Sequence, residues 1–141
     1  TYCKFKSEYK LQFYLQQDVL IRKRKNFSKL RISAHTLAIE TGRYTRPKTP
    51  VENRICRLCN TNNVEDEMHF MVKCPYFKNR RDILYSDLSN CNEFTQNLAN
   101  SNDEEVFKYL MTLGFNNINI YLPVLEYVNS LFEQRFEKLG Y

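Results

Sequence analysis

Glycine is scarce in this chain. Three glycines in 141 residues leave little room for a glycine-rich phosphate loop, and no such motif occurs. No apolar stretch approaches membrane-spanning length, and the N-terminus has no apolar signal-peptide core. Internal repeats are absent, as is any heptad run long enough for a coiled coil. There is no initiating Met, which points to a piece of a longer chain whose remainder could hold an enzyme. What remains is a soluble intracellular protein, in nucleus and/or cytoplasm, with no membrane partner. A hydrophobic content of 43% and an aromatic content of 14% exclude wholesale disorder, while a mean hydropathy of -0.59 makes the surface very polar.

Histidine is rarer still, with two in the chain, and one of them falls in a telling place. Cys56, Cys59, His69 and Cys74 are arranged as Cys-x2-Cys-x9-His-x4-Cys. Two thiolates three positions apart can grip one ion from a tight turn, and a His and a Cys five apart can face it from a helix end. The set suits a structural zinc ion, Zn2+, and leaves no position for water, whereas a catalytic zinc site normally keeps one open. The alternatives are three ordinary buried thiols with a core histidine, or a Cys/His nucleophilic pair using His35 or His69, for which no orienting acid is in evidence. Five cysteines cannot all pair within one chain, so Cys3 and Cys91 are expected to be reduced thiols.

Charge is unevenly spread. Residues 1 to 55 hold 13 Lys/Arg against 4 Asp/Glu, net +9. Residues 56 to 84 hold 5 against 4, net +1, and residues 85 to 141 hold 3 against 8, net -5. The basic part lies upstream of the zinc ligands and calls for a polyanion partner.

The pattern along the chain is mainly α, with helical segments flanking a small Cys-Cys-His-Cys zinc knuckle. A first helix is expected over 7 to 25, capped by Ser7, with Glu8 at its positive end and Leu11, Tyr14, Leu15, Val19 and Leu20 on one face. A second runs from Ser28 through Leu30, Ala34, Leu37 and Ala38 until Gly42 supplies a left-handed stop, with His35 beside its apolar stripe as a core histidine or, less favoured, a base or phosphate contact. Pro47 and Pro50 mark a linker. The first two ligands sit on a loop, and Asp66 starts a helix through Lys73 in which Phe70, with Met71 or Val72, packs inward. Pro75 opens a helix to about Leu88 that buries Phe77, Ile83 and Leu84. Asp103 caps a helix carrying Val106, Phe107, Leu110 and Met111 and ended by Gly114, with Asp103, Glu104 and Glu105 as its solvated start. A last helix begins near Pro123 and carries Leu125, Val128, Leu131, Phe132, Phe136 and Leu139 to Gly140. Three parts follow: 1-53, a basic helical segment and linker; 54-88, the zinc-finger module; and 89-141, a C-terminal helical segment packing on the rest.

The strings Lys29-Leu30-Arg31-Ile32-Ser33-Ala34-His35 through Gly42-Arg43-Tyr44, Arg54-Ile55-Cys56-x-x-Cys59, Val64-Glu65-Asp66-Glu67-x-His69-Phe70 and Cys74-Pro75 resemble a known family. They are similar to the segment that follows the reverse transcriptase in non-LTR (LINE-type) retrotransposon proteins and their degenerate genomic relatives. The resemblance covers about residues 27 to 84. It implies a Cys-Cys-His-Cys finger, with ligands Cys56, Cys59, His69 and Cys74, that helps a polymerase hold template RNA or target DNA. The paired aspartates of a polymerase site do not occur in this chain, nor does the Pro-Asp-led carboxylate cluster of the nuclease that some relatives carry.

Two basic patches could hold nucleic acid. One is Arg22, Lys23, Arg24, Lys25, Lys29 and Arg31, continued by Arg43, Tyr44 and Arg46; the other is Arg54, Arg57, Lys73, Lys78, Arg80 and Arg81. They could equally be solvated helical faces or a nuclear-import signal, and Tyr44 and Tyr76 could stack bases or belong to the core. The expected function is a non-catalytic accessory region of a retrotransposon-type reverse transcriptase, with RNA and/or DNA and the polymerase body of the same protein as partners. The alternative is a zinc-stabilised protein-protein interaction domain, motivated by the apolar stripe from Leu125 to Leu139; an independent hydrolase is disfavoured by the closed ligand set.

Overall fold

A computed structural model describes residues 13–16, 21–91, 101–112 and 117–141. The fold is mainly helical, and among the described residues the one strand-like pairing is an antiparallel bridge between Ile55 and Val64. The helices are α1 (Phe13–Gln16), α2 (Ile21–Arg31), α3 (Ala38–Thr41), α4 (Lys78–Ser89), α5 (Asp103–Thr112) and α6 (Ile118–Leu139). Expectations that fall on Ser7, Glu8, Leu11, Val19, Leu20, Cys3 and Gly114 lie outside the described residues.

The long helix α6 is the spine. It packs against both α2 and α4, and α5 lies on the turn that carries His69. Ile120, Tyr121, Val124, Leu125, Val128 and Leu131 recur at three- and four-residue steps and are fully buried. They meet Phe27 and Leu30 of α2 and Leu84 and Leu88 of α4 in one contiguous core. The α2–α6 contact is also polar: Asn129 Nδ2 donates to Lys23 O (2.8 Å), and Asn26 Nδ2 to Asn129 Oδ1 (3.0 Å). The stripe from Leu125 to Leu131 is therefore taken up within the chain, although Phe136 projects into solvent, as do Leu15 and Ile83 against expectation.

Several boundaries differ from those the sequence suggested. Helix α2 runs through Asn26 and Ser28, where a break was expected, because Phe27 must stay on its buried face. It stops at Ser33, whose φ of 56° is left-handed; Ala34 N donates to Lys29 O (2.8 Å) and Ser33 N to Leu30 O (3.3 Å), the Schellman pattern. Gly42 is not a left-handed stop, since its φ is -64°. Its lack of a side chain serves another purpose: a Cβ there would lie 2.7 Å from the Arg54 side chain. Asn102, rather than Asp103, caps α5, accepting from Glu104 N and Glu105 N at 3.0 Å while Glu105 Oε2 accepts from Asn102 N (3.0 Å), a reciprocal capping box. Helix α6 starts at Ile118 with Asn117 as cap, and Pro123 lies inside it. Burial of Ile120 and Tyr121 ahead of that proline outweighs the one backbone hydrogen bond it removes. Gly140 ends α6 in the left-handed conformation expected of it (φ 76°).

Candidate metal centre

The first two ligands are set by a miniature hairpin. Cys56 N donates to Asn63 O (2.9 Å) and Glu65 N to Arg54 O (2.8 Å), on either side of the Ile55–Val64 bridge. Asn62 takes a left-handed φ of 55° in the turn, a conformation Asn tolerates. The chain then reverses into a turn that Asp66 caps, its Oδ1 accepting from His69 N (2.7 Å). Residues His69–Lys73 wind as a π-helix, and Cys74 N donates to His69 O at 2.7 Å, five residues back. In an α-helix residues five apart point about 140° away from one another. The wider π turn brings them back toward one face, which lets His69 and Cys74 share a target.

The ligand atoms of Cys56, Cys59, His69 and Cys74 all lie within 4.8 Å of one another. Cys56 Sγ is 3.9 Å from Cys74 Sγ, and Cys59 Sγ is 3.4 Å from His69 Nε2. Tetrahedral bonds of ~2.3 Å to sulfur and ~2.0 Å to nitrogen set edges of about 3.8 Å and 3.5 Å, so the donors suit such an ion and could hold it. His69 Nδ1 is buried without a hydrogen-bond partner, so no hydrogen bond from that nitrogen fixes the ring. Cys56, Cys74 and His69 are buried and Cys59 is partly exposed, with Thr61 Oγ1 3.1 Å from its sulfur. The Cys74 thiol beside Cys56 holds the latter well below the ordinary thiol range, while the same contact and burial push Cys74 up. A metal here would tie the hairpin to the π turn.

The acidic residues ahead of His69 hold this centre in the fold. Glu65 receives Arg135 in a two-pronged pair, Nε to Oε1 (2.8 Å) and Nη2 to Oε2 (3.1 Å), with 3% of each side chain exposed. Glu65 Oε2 also accepts from Ala38 N (2.7 Å), and Arg135 donates to Thr36 O (3.0 Å) and Tyr141 O (2.7 Å). Glu67 Oε1 takes hydrogen bonds from Ser33 Oγ (3.0 Å) and His35 Nε2 (3.2 Å). Leu37 N donates to His35 Nδ1 (3.4 Å), which leaves Nε2 as the donor to Glu67. Burial raises the Glu67 carboxyl, but the His35 hydrogen bond, its own backbone amide and Ser33 outweigh it and hold the group at about 2. His35 is accordingly a buried structural histidine. Tyr127 OH donates to Met71 O, and burial raises its phenol. Arg81 Nη1 donates to Cys74 O (3.1 Å).

The basic residues divide into three groups. Arg31 is fully buried and Arg54 is 8% exposed, so neither belongs to a face that meets a polyanion, which corrects the expectation for both. Arg54 is a strut, donating from Nε to Thr49 O (2.9 Å) and from Nη1 to Ile39 O (2.7 Å). Lys23, Arg24 and Arg81 are half-buried; Lys23 pairs with Glu126 (3.6 Å) and Arg24 donates to Leu15 O (3.1 Å). Arg22, Lys25, Lys29, Arg43, Arg57, Lys73, Lys78 and Arg80 are exposed. Among these, Arg57 donates to Tyr141 OH (3.0 Å), Lys78 pairs with Asp82 (2.6 Å) and Arg43 with Glu40 (3.3 Å). Cys91 is a partly buried free thiol, and no described helix is long and apolar enough to cross a membrane.

Sequence reasoning placed Asp66 at the start of the turn it is found to cap, but assigned no role to Glu65, Glu67 or Arg135. Glu65 and Glu67 stand in the string that carries the family resemblance, which was their only signal; Arg135 lies 70 residues from Glu65 and had none. No protein family, curated protein or solved structure matches the chain.

Proposed function

We propose that this chain is a zinc-stabilised, non-catalytic nucleic-acid-holding region of a retroelement-type reverse transcriptase. The observation that carries the reading is the convergence of three sulfurs and one imidazole from a knuckle-like hairpin and a π turn, with Arg57 exposed between the first two ligands and Lys73 directly before the last. Three thiolate ligands and one imidazole complete a tetrahedral zinc ion, whose part is to cross-link the fold rather than to activate water. The exposed cations Arg22, Lys25 and Lys29 along α2, with Arg57, Lys73, Lys78 and Arg80 about the metal centre, supply the charge that phosphates need. The chain contributes no polymerase aspartates, so its role is holding RNA or DNA for a polymerase body.

A binding isotherm series tests this. Affinity for RNA or DNA should fall with salt at a log–log slope of about -3 to -5, the release expected when four to six phosphates are contacted. Binding indifferent to salt, or absent at low salt, would contradict the reading. The protein-interaction alternative keeps less of its motivating stripe, because Leu125, Val128 and Leu131 are buried in the chain's own core while Phe136 faces solvent.

A further inference from the structure

Residues 43–49 form a loop that holds its own shape. Thr49 N donates to Gly42 O (3.1 Å) and to Thr45 Oγ1 (2.8 Å), and Thr45 Oγ1 donates to Gly42 O (3.0 Å). Arg54 braces the loop from beneath through Thr49 O, and Gly42 makes room for that guanidinium. Arg54 also leads directly into the metal-binding hairpin, where its carbonyl accepts from Glu65 N (2.8 Å). The loop is thus anchored to the same frame as the metal ligands.

This ordered loop carries an outward aromatic side chain. Tyr44 is 80% exposed, more than any other large apolar side chain among the described residues. Arg43, Arg46 and Lys48 flank it, all exposed, and no acidic residue occurs between 43 and 51. Among the described residues, of these three cations only Arg43 has a carboxylate at hand, Glu40 at 3.3 Å. Tyr76 makes a useful contrast: it is 40% exposed and leans edge-on against Phe77 at 5.1 Å. An aromatic face held in water between cations, on a loop that gives up little entropy on binding, suits an unpaired base between two phosphates. Duplex bases are already stacked and offer no such face.

We infer that the 43–49 loop is a stacking platform for single-stranded nucleic acid, with Tyr44 taking an unpaired base, Arg46 and Lys48 the adjoining phosphates, and Arg54 as the positioning residue beneath. The inference rests on the nucleic-acid reading and deepens it. The test uses the full chain, metal-loaded, with a labelled single strand of about 15 nucleotides and a duplex of equal length at about 50 mM salt. Y44A should weaken single-strand binding about 10-fold and duplex binding by less than about twofold, while Y44F stays near the parent. The chain contains no Trp, so Y44W introduces a sole indole whose fluorescence the single strand should quench and the duplex should not. Equal losses on both ligands, no loss from Y44A, or an unquenched indole would overturn the platform. If the parent binds both ligands and Y44A changes neither, the platform alone fails; if the parent binds neither, the nucleic-acid reading falls with it.

Discussion

Arg135 shows how much a single side chain can hold together. It fills both oxygens of Glu65, a backbone carbonyl of the 33–37 segment and the carbonyl of Tyr141, and its guanidinium sits 5.3 Å from the Tyr141 ring. Removing one partner of a buried pair strands the other charge, so R135M should cost about 3 to 5 kcal/mol in urea unfolding; a loss under about 1 kcal/mol would mean the pair is dispensable. Tyr127 is a milder case. Y127F keeps the ring but leaves the Met71 carbonyl without its phenol donor, and should cost about 1 to 2 kcal/mol by the same measurement. The ligand residues were legible in sequence because spacing alone limits what can converge on one ion. The fate of Arg31 and Arg54 was not, since burial of an arginine is set by partners remote in sequence: Arg54 by carbonyls of residues 39 and 49, seen only once the chain folds.

Elements show a similar division. Helices α4, α5 and α6 follow their apolar periodicity, and their existence could be read directly, whereas their starts depended on which polar residue won the cap. Asn102 competes with Asp103, and only the observed reciprocal bonds decide for Asn102; N102A should therefore cost about 1 kcal/mol, and D103A less. A π turn was not legible at all. It arises where His69 and Cys74 must face one way, a requirement of the site rather than of local propensity. At Gly42 the sequence suggested a left-handed helix stop; α3 does end there, but with an ordinary φ of -64°, and the missing side chain serves to pass Arg54. G42A should loosen the 43–49 loop and lower stability by about 1 to 3 kcal/mol, read by urea unfolding and by faster amide exchange at Thr49.

On the scale of the whole molecule, an ion held by Cys56 and Cys59 of the hairpin and by His69 and Cys74 of the π turn would cross-link the two, so the ion should be part of the folding free energy. The sign of the pH dependence follows from the ligands. Thiolates and neutral imidazole bind the ion and protons compete, so metal-linked stability is present at neutral pH and should be lost as pH falls below about 6. The mainly helical fold and the convergence of the four candidate metal ligands could be foreseen in outline; the anchoring of those residues to both chain halves through acidic residues could not, because each of those bonds spans 27 residues or more. X-ray absorption at the zinc edge, with metal content by mass spectrometry, tests the central claim most directly. The purified chain should hold about one zinc, in a shell of three sulfurs at ~2.3 Å and one nitrogen at ~2.0 Å. A chain free of metal under reducing conditions, or a shell with an oxygen in place of a sulfur, would contradict it.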